Sequence, residues 1–231
     1  LTSLSDIDLS QLRPFQFIED RSLSDHPVIV SRSGYTGEDG FELYIKRSDA
    51  ELVWQKIMTA GQPYGLLPAG LGARDTLRME AGLPLYGHEL DEQTTPLEAG
   101  LGFFVRNDKP FFIGHAAIAA KERKSSSRKL IGLKLKKKAA ARQGCTVYVN
   151  GKPAGQVTSG GYAPYLKSSI SMAMLSHEAY QILQKNKTEN SEQPDDRNDL
   201  QQPGVADLQI EIRGRQYEAE YVELPFYKRH R

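Results

Sequence analysis

The sequence predicts an α+β protein in which a hairpin-and-helix region is followed by a small β-barrel or sandwich. Three observations carry this prediction. The stretch "HPVIVSRSGYTGEDGFELYIK" alternates apolar and polar residues on both sides of a Gly-rich centre, as a hairpin does. Two amphipathic stretches follow it, over 48–61 and 69–81. Beyond about residue 125, six short strand-like runs succeed one another with turns between them.

The elements follow in order. In the hairpin, Val28 and Val30 alternate with Ile29 and Ser31, and Phe41, Leu43 and Ile45 alternate with Glu42 and Tyr44. Ser48 opens the first helix with Glu51 three residues on as a capping box, and Leu52, Val53, Trp54, Ile57 and Met58 supply its buried side. Gly61 and Pro63 end it. The second helix runs from about Ala69 to Ala81, with Leu71, Leu77 and Met79 inward, and stops at Gly82-Leu83-Pro84. A boundary is expected at 115–128, around the Ser-rich "KERKSSSRK", giving domains 1–120 and 125–231. The second half carries "KLIGLKLKK", "CTVYVN", "KPAGQVTSG", "SISMAML", "DLQIEIRG" and "QYEAEYVELPF" as strands. Asn150-Gly151 closes one hairpin and Gly214 another. Residues 185–202 lack the apolar content to pack and are expected to form a disordered insert.

Composition narrows the function classes. The 231 residues carry a formal net charge of +1, which argues against a general nucleic-acid binder. No apolar run reaches membrane-spanning length. The chain starts at Leu1 without a signal-peptide pattern, so either something was removed or this is a piece of a longer chain. The one cysteine, Cys145, permits neither an internal disulfide nor a cysteine-based metal site, reads as a core residue, and fits a reducing compartment. Charge is unevenly spread: from Lys121 to Arg142 there are ten Lys or Arg and one acid, which suits a solvated face or a docking patch for an acidic partner.

Several polar residues could carry chemistry. Gly34, Gly37 and Gly40 permit left-handed or close-packed backbone at the hairpin tip. Glu42 lies just past the tip on the polar face, where it is either solvated or accepts two N–H bonds from an amidine-like ligand edge. In "GARDTLRMEAG", Arg74 and Arg78 share one side of the helix. Arg74 follows the Gly-rich "GLLPAGLGA", where close-packed backbone would demand a partner: Glu42, Asp75, or an anionic or carbonyl oxygen of a ligand. His88, Glu89, Asp91 and Glu92 match no zinc spacing, so no metal site is expected.

Four motifs together, "SRSGYTGEDGFEL", "GLGARDTLRMEAGLPLYGHELDEQTTPLEAGL", "GQVTSGGYAPYL" and "LPFYKR", resemble the glycine cleavage T-protein (aminomethyltransferase) family over nearly all of the chain. The resemblance implies that 1–120 is part of a folate-binding region and 125–231 a barrel domain. It implies tetrahydrofolate as co-substrate and a lipoylated H-protein as partner. The activity it implies is transfer of the one-carbon unit of lipoyl-bound aminomethyl to tetrahydrofolate with release of ammonia. By motif position, Glu42 matches the carboxylate that binds the pterin ring and Arg74 an arginine of the same pocket. Tyr35 shapes the hairpin, and Arg142 matches an arginine ahead of the barrel hairpin. No nucleic acid or membrane is expected, and the compartment implied is the bacterial cytoplasm or the mitochondrial matrix.

Related readings share the plan: the folate-binding domain of a sarcosine or dimethylglycine dehydrogenase-like enzyme, and a non-catalytic folate-binding regulatory protein. The family's catalytic aspartate is expected ahead of "DLSQLRPFQFIED", in a segment without counterpart here. The catalytic residue is therefore unassigned, and the 231 residues alone are expected to be inactive although the intact family member is an enzyme.

Overall fold

A computed structural model describes residues 1–5, 7–106, 108–123, 128–191 and 206–229. The chain forms two units, Leu1–Leu77 with the C-terminal Arg229, and Arg78–Lys228. They part inside one helix, whereas the sequence places a boundary at 115–128, of which 124–127 lie outside the described residues.

The first unit is built on a three-stranded antiparallel sheet, β1 (Phe17–Leu23), β2 (His26–Ser31) and β3 (Glu42–Ile45), in that spatial order. β1 is an addition to the hairpin read from sequence. It joins β2 through Ser24-Asp25, where both residues adopt positive φ, 49° and 70°. A two-residue turn with both φ positive matches strand twist, but it is usually marked by Asn-Gly. The β2–β3 pairing follows the alternation, with Val30 opposite Leu43 and Ser31 opposite Glu42. Leu23, Val28 and Val30 are buried with Ile7, Leu9, Leu12 and Val53 as one core.

The helix α1 (Ala50–Gly61) differs from expectation at its start. A 3-10 turn over Arg47–Asp49 precedes it, and the Ser48 hydroxyl donates to Asp49 Oδ1 at 2.8 Å, so no capping box forms. Only Val53 on α1 is fully buried, while Leu52 and Trp54 are more than half exposed, at 52% and 56%. Leu52, Val53 and Trp54 are consecutive and turn about 100° apart on a helix, so they cannot all lie on one buried stripe. The helix α2 (Leu71–Glu80) is shorter than predicted, and Leu71 is exposed rather than inward. Gly82, at φ 64°, sits just past its end.

The second unit closes a six-stranded antiparallel barrel. Its strands are β4 (Lys129–Leu135), β5 (Thr146–Val149), β6 (Lys152–Ala163), β7 (Ser168–Leu175), β8 (Leu208–Ile212) and β9 (Arg215–Val222). The order is β4-β7-β6-β5-β8-β9, with β9 returning to β4, so no edge is left open. Asn150-Gly151 and Arg213-Gly214 both take positive φ, as the hairpin signals predict. Leu133, Val147, Leu175 and Ile210 fill the barrel at 0% exposure. On β6, a Cβ at Gly155 would collide with the Met174 carbonyl and one at Gly160 with the Ala141 carbonyl, so only glycine lets these backbones approach.

Helix α3 (His115–Arg123) precedes the barrel, and α4 (His177–Ser191) leaves β7. α4 covers residues 185–191 of the insert expected over 185–202, and 192–202 lie outside the described residues. Its first turns anchor it, because Ala179 and Leu183 are buried in the barrel core and Ser176 Oγ accepts the Ala179 N–H at 3.3 Å. Once nucleated, a helix adds polar residues at little cost.

Candidate functional site

The loop between β2 and β3, residues 32–41, is braced by polar contacts rather than by a core. Arg32 Nε and Nη2 donate to the two oxygens of Asp39 at 2.9 and 2.8 Å, and Nη1 donates to the Leu12 carbonyl at 2.8 Å. The same guanidinium lies 5.7 Å from the centre of the Phe41 ring. Its hydrogen bonds hold the Asp39 carboxyl below the usual carboxylate range. The Glu38 N–H donates to the Thr36 hydroxyl oxygen at 3.3 Å, and the Glu38 carboxylate lies 3.6 Å from Arg229 Nε. Of the three glycines, only Gly37 adopts positive φ, 77°. Gly34 has open space where its side chain would be, and Gly40 nearly so.

Glu42 opens β3 with an exposed side chain. Its Oε2 accepts a short hydrogen bond from the Ser33 hydroxyl, and Ser33 Oγ lies 2.8 Å from Ser31 Oγ. The Ser31–Ser33–Glu42 chain orients one carboxylate oxygen, while the exposed side chain stays accessible to a donor. Arg74 lies in the first turns of α2 with its guanidinium 4.3 Å from the centre of the Tyr35 ring. Tyr35 and Arg74 are thus brought together, which composition and spacing do not predict. The segment 65–73 ahead of Arg74 is exposed throughout, and neither Gly70 nor Gly72 has a neighbour where a Cβ would stand. The expected close-packed backbone there is not found.

Arg142 belongs to the second unit, on the loop before β5, where its Nη1 donates to the Gly160 carbonyl at 3.4 Å. Cys145, expected in the core, is half-buried and packs against it.

Two buried charges escape sequence reasoning. Arg78, expected on a charged helix face with Arg74, is 1% exposed. It donates to Glu89 Oε2 at 2.9 Å, to Ser159 Oγ at 2.9 Å and to the Leu83 carbonyl at 3.2 Å. Glu89 Oε2 also accepts the Leu85 N–H at 3.0 Å. The neighbouring His88 is held through Nδ1 by the Thr158 carbonyl at 3.0 Å. These two members of the "HELDE" run are therefore structural, and among the described residues no group of three or more His, Cys, Asp or Glu could hold a metal. The only signal for the pair was its hydrophobic flank, Leu77, Met79 and Leu90.

Two more acids have shifted acidity. Burial pushes the Glu80 carboxyl up, against the opposing N–H of Tyr165 and Leu166. Burial pushes Glu98 up as well, but the Thr95 N–H and hydroxyl, Lys121 and Arg128 together outweigh it and hold the group at about 2.

Comparison with known proteins decides the family. The model of the GCVT N-terminal domain matches residues 1–109, and that of the glycine cleavage T-protein C-terminal barrel domain matches residues 128–228. The chain belongs to the glycine cleavage T-protein family. An aminomethyltransferase of Shouchella clausii is 42% identical over 230 residues, which is 99% of this chain and 57% of that protein. The aminomethyltransferase of Bacillus subtilis is 41% identical over 230 residues, 58% of its length. One from Caldanaerobacter subterraneus is 48% identical over 182 residues, 79% of this chain and 49% of that protein. The crystal structure of glycine cleavage system aminomethyltransferase T from Bartonella henselae superimposes with a TM-score of 0.75 at 28% identity, covering 95% of this chain and 54% of that one. The matched part of the chain thus spans about half the length of these T-protein relatives. No described helix is long and apolar enough to cross a membrane.

Proposed function

We propose that this T-protein chain serves aminomethyl transfer, with Glu42, Arg74 and Tyr35 forming part of the site that binds tetrahydrofolate. The observation that carries this reading is Glu42: an exposed carboxylate at the start of a strand, pre-oriented by the Ser33 hydroxyl. A pterin presents neighbouring N–H donors along one edge, and a carboxylate accepts two such bonds in one plane. Arg74 held over the Tyr35 ring offers a planar cationic surface beside the same loop, suited to a ring carbonyl. Open space at Gly34 lets a flat ring approach the backbone. Arg142, which the family resemblance also implies, lies in the second unit and belongs to the proposal as a ligand-binding group.

The reaction this serves moves the one-carbon unit of a lipoyl-bound aminomethyl group, carried by an H-protein, onto two nitrogens of tetrahydrofolate. The carbon–nitrogen and carbon–sulfur bonds break and two new carbon–nitrogen bonds form. The two protons shed by the folate nitrogens leave with ammonia and the free thiol. Fixing the folate ring against Glu42 places its nitrogens for attack, which is catalysis by positioning. The proposal places the chemistry in a reducing compartment, the bacterial cytoplasm or the mitochondrial matrix, with 1–120 contributing to the folate region and 125–231 as the barrel domain.

The test uses the natural-length protein with aminomethylated H-protein and tetrahydrofolate, reading ammonia release. Glu42→Gln should raise the KM for tetrahydrofolate by about tenfold or more, the worth of one charge-assisted bond. Unchanged kinetics in that variant, or no ammonia from the unsubstituted protein, would overturn the reading.

A further inference from the structure

One end of the barrel carries a cleft of about 670 Å³ that the folate reading does not explain. Four cations line it: Lys138 and Arg142 from the loop before β5, Arg213 from the turn between β8 and β9, and Arg215 from the start of β9. Cys145 and Tyr217 also line it, and both pack against the barrel core, so the floor is fixed. Among the described residues, no carboxylate lines the cleft. Arg213 and Arg215 have no ion pair with any described residue, Arg142 meets only a backbone carbonyl, and Lys138 lies 4.7 Å from the centre of the Tyr162 ring. Four positive charges thus converge in a molecule whose formal net charge is only +1.

Like charges gathered on one concave surface repel one another, and proteins ordinarily relieve this with interspersed acids. Two acids on the neighbouring strands are otherwise engaged. Glu211 accepts the Tyr148 hydroxyl at 2.8 Å, and Glu218 pairs with Lys136 at 2.9 Å. The Arg213-Gly214 turn holds positive φ at both residues, which lifts Arg213 onto the rim on a rigid two-residue hairpin. Guanidinium groups match phosphate and carboxylate oxygens in pairs, so two of them on one rim bind a divalent group better than two ammoniums would.

We propose that this cleft binds a small multiply charged anion bearing phosphate or carboxylate groups. Its volume is that of a small-molecule site, which favours a compact ligand over the broad face of a protein. Arg142 is shared with the folate reading, but the inference stands on Arg213 and Arg215, which that reading does not use. Their substitution therefore fails or succeeds separately from that of Glu42.

The experiment is calorimetric titration of the purified protein at low ionic strength with tripolyphosphate in one arm and citrate in the other. Saturable one-to-one binding is expected in at least one arm, weakening as salt is added. The stronger arm identifies phosphate or carboxylate as the source. Arg213→Gln with Arg215→Gln should lower affinity by about tenfold or more, while Lys152→Gln, an exposed lysine at the other hairpin, should leave it unchanged. Should the double variant fail to fold, Arg215→Gln alone decides, with a severalfold loss expected. Absence of binding in both arms, equal affinity in the arginine variants, or binding of a long acidic polypeptide but of neither small anion would overturn the proposal.

Discussion

The barrel and the hairpin loop are held by opposite means. The barrel closes on itself and fills its centre with side chains that see no water, such as Leu133, Leu175 and Ile210. The loop 32–41 holds its form through an exposed arginine–aspartate pair, two serines and a cation over a ring. Apolar burial supplies stability in proportion to area, whereas exposed ion pairs add about 0–1 kcal/mol each. A loop built from such contacts contributes little to folding and is free to be specified by what it binds. On the proposed reading, the chain separates its stable part from its recognising part.

The largest expected effect lies in the barrel unit. Arg78→Ala would strand the Glu89 carboxylate at 0% exposure and should cost about 3–5 kcal/mol, read as a fall in the urea midpoint. Arg78→Met combined with Glu89→Leu should recover most of that loss, since replacing a buried pair with apolar groups is often neutral. A single variant that melts like the parent would mean that the pair carries nothing.

A second break uses acid. The folded-state Glu98 carboxyl sits at about 2 against an ordinary 4.5, so between these values the unfolded chain binds more protons than the folded one. Its contribution is complete above 4.5 and drains away as pH falls toward 2. Glu98→Gln should flatten the loss of stability across that window relative to the parent, in melts taken at stepped pH. Parallel curves would contradict the assignment.

The smallest effect sharpens the other side of the comparison. Ser33→Ala removes the hydroxyl that orients Glu42 and leaves the carboxylate in place. Tetrahydrofolate affinity should fall by about threefold to tenfold, one ordinary hydrogen bond's worth, with the melting temperature held. A large thermal loss without an affinity change would make Ser33 a folding residue.

Legibility in the sequence followed the same division. Barrel strands were readable because period-two alternation and Asn150-Gly151 act locally, and the structure pairs them as a closed sheet. Glu42 was readable because Ser31, Glu42 and Tyr44 alternate with apolar neighbours. Its partner Ser33 was not, since a ten-residue loop can fold back in many ways and only the clamp from Arg32 to Asp39 selects one. The burial of Arg78 and Glu89 is not legible because charge is normally exposed, and it takes contacts distant in sequence, to each other and to Ser159 on β6, to reverse that rule. α4 was missed because its polar second half masks the anchoring Ala179 and Leu183.

The central claim is that Glu42 recognises a ligand and does not hold the fold. The direct measurement is the melting temperature of the parent and Glu42→Gln, each with and without the same excess of tetrahydrofolate, because a ligand that binds only the folded state stabilises it by an amount that grows with the logarithm of its concentration over Kd. The account predicts equal melting temperatures without ligand, a clear rise for the parent with it, and a rise largely lost in the variant. A variant that melts many degrees lower by itself, or that rises with ligand as much as the parent, would contradict the account.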